Sequence, residues 1–416
     1  IKVITRLFNG SEQIVVATDA GREGELIFRY LYHYIGCSTP FVRLWISSLT
    51  DKAIREGLRN LENGSKYDNL FLAAKARSES DWLVGINGTQ ALTIAAGRGT
   101  YSVGRVQTPT LGMVCERYWE NRRFTPEAFW QLHIAVDGNN DGTVKLSSSG
   151  KWKEKEPATV LYNKVKEAGT AAVTKVERKE KTEETPLLFD LTTLQKEANA
   201  KHGFTAEQTL GIAQKLYEKK LVTYPRTGSR YIPDDVFAEI PKLLAFIGAM
   251  PEWKGKVQVK AGPTRRSVDG GKVTDHHALL VTGEKPLFLS KEDNTVYQMI
   301  AGRMIEAFSE KCVKDTTTVT AECAGAEFTV KGSIIRQAGW RAVHGEEDKE
   351  EISIPDWQEG DTLTLKGCSI TEGKTKPKPL HTEATLLSAM ETAGKEVEDD
   401  ALRQALKDCG IGTPAT

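Results

Sequence analysis

Blocks of helical and of strand-like sequence alternate along this chain, and the alternation limits its architecture more than any single motif does. Helical periodicity covers about 68–96, returns in two helices after Pro186, and covers 383–409 near the end. Period-two patterns typical of strands lie between these blocks, at 129–136, 143–150, 158–162, 171–182, 316–333 and 361–370. Because a helical block separates two strand-rich blocks, the sequence predicts a strand-rich domain into which a helical domain is inserted.

An acidic, glycine-containing loop follows the first β-branched run. Residues 13–18 read as a strand, and 19–25 (DAGREGE) lead into a helix that ends at Gly36. Open α/β sheets place ligands at the carboxyl ends of their strands. Asp19 and Glu23 could therefore be aimed at one Mg²⁺ ion, which needs only one or two protein carboxylates beside phosphate and water. A turn with acids at a helix N-terminus explains the same residues without a metal.

A tyrosine and an arginine flank a proline in the segment LVTYPRTGSRY, residues 221–231. Side chains two apart on extended chain point the same way, so Tyr224 and Arg226 could project together. The guanidinium is a fixed cation for phosphoryl oxygens and favours the phenolate form. A phenol has a pKa of about 10, so a sugar hydroxyl can expel it from a phosphodiester without an external energy source. A tyrosine packed in the core, with arginine at the rim, is the alternative.

Capping signals predict where several helices begin. Thr50 is placed to cap a helix that reaches Asn63, and Thr205 with a glutamine three residues later forms a capping box. Thr108 as N-cap, with Pro109 as the first helical residue, predicts another helix. The polar residues just before it would then face a positive helix end suited to phosphate, although simple capping also explains them; they are Ser102, Arg105 and Gln107.

Two further polar pairs are open to more than one interpretation. His276 and His277 could supply hydrogen bonds to a phosphate, or could simply belong to a polar loop. Arg77 and Asp81 lie four apart on one face of a predicted helix, which is also the spacing of an ordinary ion pair.

Composition excludes several classes of function. The 56 Lys and Arg balance 56 Asp and Glu, so any site for nucleic acid must be a local patch. Residues 201–230 form one such patch, with six basic residues against two acidic ones. The six cysteines are scattered and give no zinc-ligand spacing. No apolar run approaches the roughly 18 residues of a membrane span.

Taken in order, the motifs resemble the type IA DNA topoisomerases along nearly the whole chain. The matching segments are DAGREGE, ARSESDWLVG, SVGRVQTPTL, LFDLTTLQKEAN, LVTYPRTGSRYI, DHHALL and LHTEATLLSAM with GIGTPAT. The RLWISSLT and YPRT segments are most similar to the topoisomerase III branch. The resemblance implies an ATP-independent isomerase that uses Mg²⁺, cleaves one DNA strand, passes another strand and reseals the first.

The same resemblance implies a multidomain α/β and α+β fold with a toroidal architecture. Its four domains would be a partial TOPRIM metal-binding domain, a helical domain with a single-strand groove, a strand-rich arch, and a winged-helix-like domain carrying the tyrosine. They are expected, in that order, at 1–67, at 68–125 with 379–416, at 126–185 with 310–378, and at 186–309.

Roles for single residues follow from the resemblance. Tyr224 resembles the nucleophile that forms a 5′-phosphotyrosyl link, and Arg226 the arginine that stabilises the pentavalent phosphate. His276 resembles the histidine on the phosphate, with His277 the less similar position. The metal carboxylates would be Asp19 and Glu23. The single-strand groove would contain Arg77, Asp81, Ser102, Arg105 and Gln107.

Expectations about partners follow from the same family. They are single-stranded and underwound duplex DNA, a helicase partner, no membrane, a monomeric state, and a bacterial cytoplasm where the enzyme associates with the nucleoid.

Three departures from the family pattern leave alternatives open. Gly21 stands where a second Asp is usual in Asp-x-Asp-x-Glu, and Gly228 replaces the acid of an Arg-Thr-Asp motif. The family's earlier strand with a glutamate has no match among the residues before Asp19. We therefore expect both ends of a longer protein to be missing and metal binding to be weak or limited to one ion. The alternative is a catalytically impaired fragment or paralogue that binds single-stranded DNA. A third hypothesis is another TOPRIM enzyme, such as a primase or nuclease. The tyrosine motif argues against it, because those reactions need no protein nucleophile.

Overall fold

The computed structural model describes residues 1–48, 50–138, 142–257, 262–345, 353–396, 401, 403–404 and 410–412. The chain divides into two compact units. The first is formed by Ile1–Glu116, Pro186–Phe308 and His381–Thr416, and the second by Arg117–Thr185 and Ser309–Leu380. The second unit is thus interrupted along the chain, as the alternation of strand and helical sequence predicts. The expected division into four domains remains a proposal.

The α-helices of the described residues are, in chain order, α1 Lys2–Asn9, α2 Arg22–Ile35, α3 Asp51–Arg59, α4 Asp68–Ala96, α5 Gln107–Arg122, α6 Lys155–Ala168, α7 Leu191–His202, α8 Ala206–Glu218, α9 Asp234–Phe237, α10 Ile240–Gly248, α11 Lys291–Phe308 and α12 Glu383–Thr392. The strands are β1 Ile14–Val16, β2 Phe41–Arg43, β3 Glu62–Asn63, β4 Ala128–Asp137, β5 Thr143–Ser148, β6 Thr170–Glu183, β7 Cys312–Cys323, β8 Ala326–Gln337 and β9 Thr362–Lys374. No helix of the described residues has the length and apolar character needed to cross a lipid bilayer.

The first unit begins with a small sheet that carries the acidic loop. Strand β1 pairs in parallel with β2, and β2 pairs antiparallel with β3. Ile14 and Val16 point inward and pack with Phe28 of α2 and with Cys37, while Val15 between them is exposed. This alternation fixes which face of β1 is buried, so the chain that follows leaves the sheet at its carboxyl end in a defined direction.

Helix boundaries in this unit agree in part with the capping signals. The capping box at Thr205 is present, with its hydroxyl accepting from the Gln208 backbone and the Gln208 side chain accepting from Thr205 N. Thr50 accepts from Ala53 N and caps α3, but α3 ends at Arg59 because Glu62 and Asn63 pair with β2. The last predicted helix runs to Thr392 and a 3₁₀ turn follows to Glu396, while 397–400, 402 and 405–409 lie outside the described residues.

The second unit is a closed six-stranded barrel with strand order β4-β5-β8-β7-β6-β9. Its interior is filled by side chains from every strand, among them Leu132, Leu146, Val173 and Phe328. Every pair of neighbouring strands in the barrel is antiparallel. Closure leaves no strand of the barrel with an unpaired edge, which is how such sheets avoid pairing with other chains.

The strand predicted at 158–162 is wrong, because these residues belong to α6. Ala158, Leu161, Tyr162 and Val165 pack against the barrel core, and they recur at the three- and four-residue spacing of one helix face. Val160 between them is exposed. A short apolar run fits a strand or a helix equally well, and the helical spacing extends past its end.

Candidate active site

The acidic loop between β1 and α2 is tightly folded around two glycines. Gly21 N donates to Asp19 O at 2.8 Å, and a Cβ atom on Gly24 would fall 2.2 Å from Asp19 O. No larger residue fits at position 24 without moving the backbone of Asp19. The tight turn leaves the Asp19 side chain 59% exposed, and Glu23 is exposed in the first turn of α2.

A buried arginine, Arg43, forms hydrogen bonds with the backbone of the same loop. The side chains of Arg43 and Glu25 are fully buried, with Arg43 Nε 3.0 Å from Glu25 Oε2, an ion pair whose angles are not those of a hydrogen bond. Glu25 also binds Arg29 at 2.8 Å. The Arg43 guanidinium donates to backbone carbonyl oxygens along the strand and the loop, those of Val16, Thr18, Asp19 and Leu44. The backbone on which Asp19 stands is therefore fixed by charge-assisted hydrogen bonds.

Tyr224 lies on an irregular segment that is anchored on both sides. Thr223 N donates to Leu280 O at 2.9 Å, and Leu191 N donates to Thr227 O at 3.1 Å. The phenol ring is half-buried, with its centroid 5.3 Å from that of Tyr217. It lines a cavity of about 220 Å³. The ring is thus neither sealed in the core nor free in solvent, which is the exposure that an accessible nucleophile requires.

The balance of charge around Tyr224 differs from the sequence-based prediction. Burial raises the pKa of its phenol, and the carboxylate of Asp19 raises the pKa further. The Arg226 charge lowers the pKa, as predicted, but it does not outweigh burial. Within the described part of the chain, the Arg226 guanidinium is exposed and shares no hydrogen bond with the Tyr224 hydroxyl. The phenol of the protein alone is therefore held in its protonated form.

His276 lies between the tyrosine and the acidic loop. Its ring centroid is 4.5 Å from that of Tyr224, and its Nε2 is 3.6 Å from Asp19 Oδ1. Its backbone is fixed by the Thr227 hydroxyl, which donates to His276 O at 2.8 Å. His277 is also half-buried, its Nδ1 lies 2.7 Å from Ala278 O, and burial lowers its pKa. Of the two histidines, His276 is the one that contacts Tyr224 and Asp19.

Asp275 approaches the acidic loop at Gly21. A Cβ atom on Gly21 would fall 2.1 Å from Asp275 Oδ1 and 2.2 Å from its Cγ, so the carboxylate occupies the space of a side chain at position 21. Burial raises the pKa of Asp275, and the charges of Asp19 and Glu23 raise it further, whereas His276 and Arg22 lower it. Three carboxylates from two distant parts of the sequence therefore act on one another here.

A divalent cation is compatible with these residues, although they do not form a finished coordination sphere. In the described ranges, no three His, Cys, Asp or Glu side chains are gathered as metal ligands. Mg²⁺ keeps several waters and binds proteins through one or two carboxylates with substrate phosphates. The exposed carboxylates of Asp19 and Glu23 meet that requirement.

Four of the five residues predicted for a single-strand groove form two contacting pairs where α4 faces the loop before α5. Asp81 forms an ion pair with Arg105, and Gln107 Nε2 donates to Ser102 Oγ at 2.6 Å. The pairing with Arg105 replaces the ion pair with Arg77, which lies one helical turn earlier on α4. All five side chains are at least partly exposed; they are Arg77, Asp81, Ser102, Arg105 and Gln107.

The start of α5 differs from the prediction by two residues. The helix begins at Gln107, and Thr108 is therefore inside it and does not cap it. The Thr108 hydroxyl accepts from Gly104 N at 3.0 Å, which tightens the turn before the helix. Gln107 is consequently the first helical residue and not part of the preceding loop.

Several residues of the site were not assigned a role from the sequence. Glu25, Arg43 and Asp275 contribute through contacts with residues far away in the chain. Asp235 accepts from the hydroxyls of Ser48 and Thr50 at 3.0 and 2.9 Å, and so ties the segment before α3 to α9. The sequence contains no local signal for these partners, except that Asp275 adjoins the histidine pair.

Comparisons with known proteins show which family and which relatives the chain is similar to. A family model described as DNA topoisomerase matches residues 65–416. The chain is 39% identical over 421 residues to DNA topoisomerase 3 of Bacillus subtilis strain 168, covering 97% of this chain and 58% of that protein. It is 37% identical to DNA topoisomerase 3 of Shouchella clausii strain KSM-K16, covering 97% of this chain and 57% of that protein. The chain therefore spans less than two thirds of the length of these relatives.

A solved structure shows the same fold. The full-length topoisomerase I of Thermotoga maritima superposes with a TM-score of 0.73 at 24% identity, covering 100% of this chain and 66% of that one. The likeness confirms the predicted fold class, a mixed α/β and α+β protein of the type IA topoisomerase kind. Of the C-terminal GIGTPAT motif used in the sequence analysis, only residues 410–412 belong to the described part of the chain.

Proposed function

Because the chain belongs to the DNA topoisomerase family, in its type IA, topoisomerase III-like branch, we propose that it cleaves one DNA strand with Tyr224 and reseals it. The observation that carries the proposal is the meeting of three groups, since His276 contacts the Tyr224 ring and lies 3.6 Å from Asp19. A half-buried phenol, an imidazole in contact with its ring and a carboxylate beside that imidazole thus form one chain of contacts.

The chemistry proposed for Tyr224 is a balanced and reversible exchange. Its phenolic oxygen forms a bond to the phosphorus of a DNA linkage while the bond from phosphorus to the 3′ oxygen breaks. The phenol loses one proton and the 3′ hydroxyl gains one, so no oxidant or fuel is consumed. The resealing step reverses both bond changes, and the phenolate leaves because a phenol is a stronger acid than a sugar hydroxyl.

Arg226 and His276 would stabilise the phosphate during this exchange. The exposed Arg226 guanidinium can turn toward a bound phosphodiester, where its planar fork suits two phosphoryl oxygens. His276 can donate to a third oxygen from its position beside the ring. The phenolic proton would be lost as the bond to phosphorus forms, because the half-buried tyrosine does not ionise by itself.

Mg²⁺ is the proposed cofactor, held at Asp19 and Glu23. When bound, it would neutralise charge on the phosphate and orient the 3′ end for resealing. The residues of the chain prepare this site by themselves. Arg43 fixes the backbone of Asp19, and Gly24 lets the first turn of α2 pack directly against that backbone.

The strand to be cleaved would be held by the α4–α5 surface, defined by Arg77, Asp81, Ser102, Arg105 and Gln107. Arginine and amide groups there suit phosphate and sugar contacts, which position a strand without reading its sequence. Single-stranded and underwound duplex DNA are the proposed substrates, with relaxation and decatenation as outcomes. We extend the proposal to a monomeric enzyme that works with a helicase at the bacterial nucleoid.

A covalent trap tests the proposal. The chain is incubated with end-labelled single-stranded DNA and Mg²⁺, then quenched with SDS, and protein-linked label is measured for wild type, Tyr224→Phe and Tyr231→Phe. Tyr231 is the matched control, because it lies on the same segment and stacks with Lys272. We expect an adduct with wild type and Tyr231→Phe and none with Tyr224→Phe.

The alternative, a single-strand-binding protein without catalysis, is favoured by the glycine at position 21. It predicts salt-dependent binding of single strands and no adduct with any of the three proteins at any Mg²⁺ concentration. An adduct that persists in Tyr224→Phe would instead assign the nucleophile to another residue.

A further inference from the structure

Helix α8 is closed by a left-handed residue that is not a glycine. Lys220 has a φ of 61°. Its N–H donates to Tyr217 O at 2.8 Å, and Leu221 N donates to Leu216 O at 2.9 Å. These two bonds form a Schellman motif, whose left-handed position is usually glycine because a side chain there crowds the backbone. Lys220 therefore places a side chain where it costs stability.

The same chain uses glycine to close four other helices. Helices α2, α4, α6 and α7 are each followed by a glycine with a φ between 64° and 70°, namely Gly36, Gly97, Gly169 and Gly203. Residues held in a strained backbone conformation cluster at functional sites. Glycine would form the same turn at the end of α8, so what the exception adds is an ammonium group on a flexible four-carbon stem.

Lys220 lines the cavity of about 220 Å³ that Tyr224 also lines. Among the described residues around this cavity, Lys220 is the one with a permanent charge, and none of them is a carboxylate. Arg226, the cation predicted from the sequence, is exposed and is not one of these residues. Lys220 therefore gives the cavity beside the proposed nucleophile its fixed positive charge.

The ammonium group of Lys220 is available to a ligand. In the part of the chain that the structure describes, it forms no ion pair and donates no hydrogen bond, and the residue is exposed. The neighbouring Lys219, in contrast, has its Nζ 4.0 Å from Asp293 Oδ2. The charges that shift the pKa of the Tyr224 phenol belong to other residues, so Lys220 does not activate the phenol. An unpaired ammonium in this place suits a phosphate group.

Backbone contacts fix where Lys220 lies relative to Tyr224. Lys220 O accepts from the Thr282 hydroxyl, and Thr282 N donates to the next carbonyl of the same segment at 3.1 Å. Thr223 N donates to Leu280 O at 2.9 Å. These bonds hold the whole stretch from the end of α8 to the tyrosine, so the lysine stem starts at a defined place four residues before Tyr224.

We propose that Lys220 binds a phosphate of the DNA strand at the cavity beside Tyr224, and that a lysine is kept in the left-handed turn for this purpose. The inference rests on the proposed function, which puts the strand at Tyr224. It divides the charge between two residues, with Arg226 at the phosphate that is cleaved and Lys220 at a neighbouring phosphate of the same strand. A contact of this kind positions a strand without reading its sequence.

The salt dependence of DNA binding tests the assignment. The affinity for a labelled single-stranded oligonucleotide is measured without Mg²⁺ at several salt concentrations. Asparagine tolerates the left-handed conformation and carries no charge. We therefore expect Lys220→Asn to bind roughly tenfold less tightly at low salt, because a charged hydrogen bond is lost. The slope of log affinity against log salt should fall by about 0.7 to 1.

Two further variants serve as controls for charge. Lys220→Arg keeps the positive charge and should retain the salt slope of wild type. Lys66→Asn removes an exposed lysine of the same unit, whose Nζ already lies 2.7 Å from Glu62 Oε2, and it should also leave the slope unchanged.

The stability of Lys220→Gly separates a role in binding from a role in folding. Glycine adopts the left-handed conformation without crowding, so we expect this variant to raise the melting temperature by about 1 to 2 °C. Its DNA affinity should fall as in Lys220→Asn, because both variants lack the ammonium group. Stability and binding then change in opposite directions, which a lysine kept only for the fold would not produce.

Two results would overturn the assignment. One is a salt slope in Lys220→Asn equal to that of wild type. The other is a lower melting temperature in both Lys220→Gly and Lys220→Asn, because the lysine side chain would then support the fold itself. The covalent trap with Tyr224→Phe is scored separately. A reduced slope without any adduct would leave the phosphate contact standing and remove strand cleavage, and an adduct with an unchanged slope would do the reverse.

Discussion

The phenol ring of Tyr224 and the imidazole ring of His276 lie with their centroids 4.5 Å apart, at an angle of 53° between their planes. Nε2 of the same imidazole lies 3.6 Å from Asp19 Oδ1. A single histidine therefore connects the proposed nucleophile to the acidic loop. Burial raises the pKa of the Tyr224 phenol, so the hydroxyl is protonated in the protein alone. It must therefore lose its proton when DNA is bound.

Removal of the imidazole should slow strand cleavage. We expect His276→Ala to reduce the rate of covalent adduct formation by about 10²-fold or more, because a donor to the phosphate is lost where charge develops. Single-turnover trapping with labelled DNA measures the rate. His202→Ala, an exposed histidine at the end of α7, should leave it unchanged. A rate in His276→Ala equal to that of the control would remove His276 from the reaction.

The hydroxyl of Thr227 should act by positioning. It donates to His276 O at 2.8 Å and accepts from Ser229 N at 3.0 Å, and the residue is buried. We expect Thr227→Val to lower the cleavage rate about tenfold while DNA affinity stays the same, because the histidine is displaced. Thr227→Ser keeps the hydroxyl and should restore the rate. If valine and serine variants behave alike, packing and not the hydrogen bond is what matters.

Loss of one charge beneath the acidic loop should destabilise it. In Glu25→Gln, the buried Arg43 loses its ionic partner. We expect the free energy of opening of the loop to fall by about 3–5 kcal/mol, because an unpaired charge is left buried. Hydrogen exchange of the amides in β1 and α2 reports the opening free energy. Glu79→Gln removes an exposed partner of Lys75 and should change the exchange of α4 by about 0.5 kcal/mol or less. Comparable effects in the two variants would contradict a special role for the buried pair.

Contacts of the α4–α5 surface with phosphate should appear in salt dependence. We expect Arg105→Ala to weaken single-strand binding at low salt and to reduce the slope of log affinity against log salt by about one. Fluorescence anisotropy at several salt concentrations measures both quantities. Arg336→Ala removes an exposed arginine of the barrel that is paired with Asp315, and serves as the control. An unchanged slope in Arg105→Ala would place the strand elsewhere.

Local signals in the sequence predicted local structure well. The helix over Asp68–Ala96 and the capping box at Thr205 were readable because the residues that decide them are neighbours in the chain. The strand predicted at 158–162 was wrong because this short apolar run fits either element, and the helical spacing becomes visible only when Val165 is included.

The site was predictable in its members but not in its arrangement. Tyr224, His276 and Asp19 stood out through their motifs, and the structure brings them together. The partner of Asp81, the net effect of burial on Tyr224 and the position of Asp275 depend on contacts between distant segments. No spacing rule within one segment contains that information.

The closed barrel has a consequence for how the chain reaches its native state. Glu183 at the end of β6 pairs with Cys312 at the start of β7, so the two strands are related as in a hairpin whose turn is the whole of 186–308. During synthesis, the ribosome must release this long segment before β6 can find β7. Until β7, β8 and β9 have been made, strands β4, β5 and β6 lack native neighbours and can pair with other chains. Closure of the barrel is therefore a late and slow step.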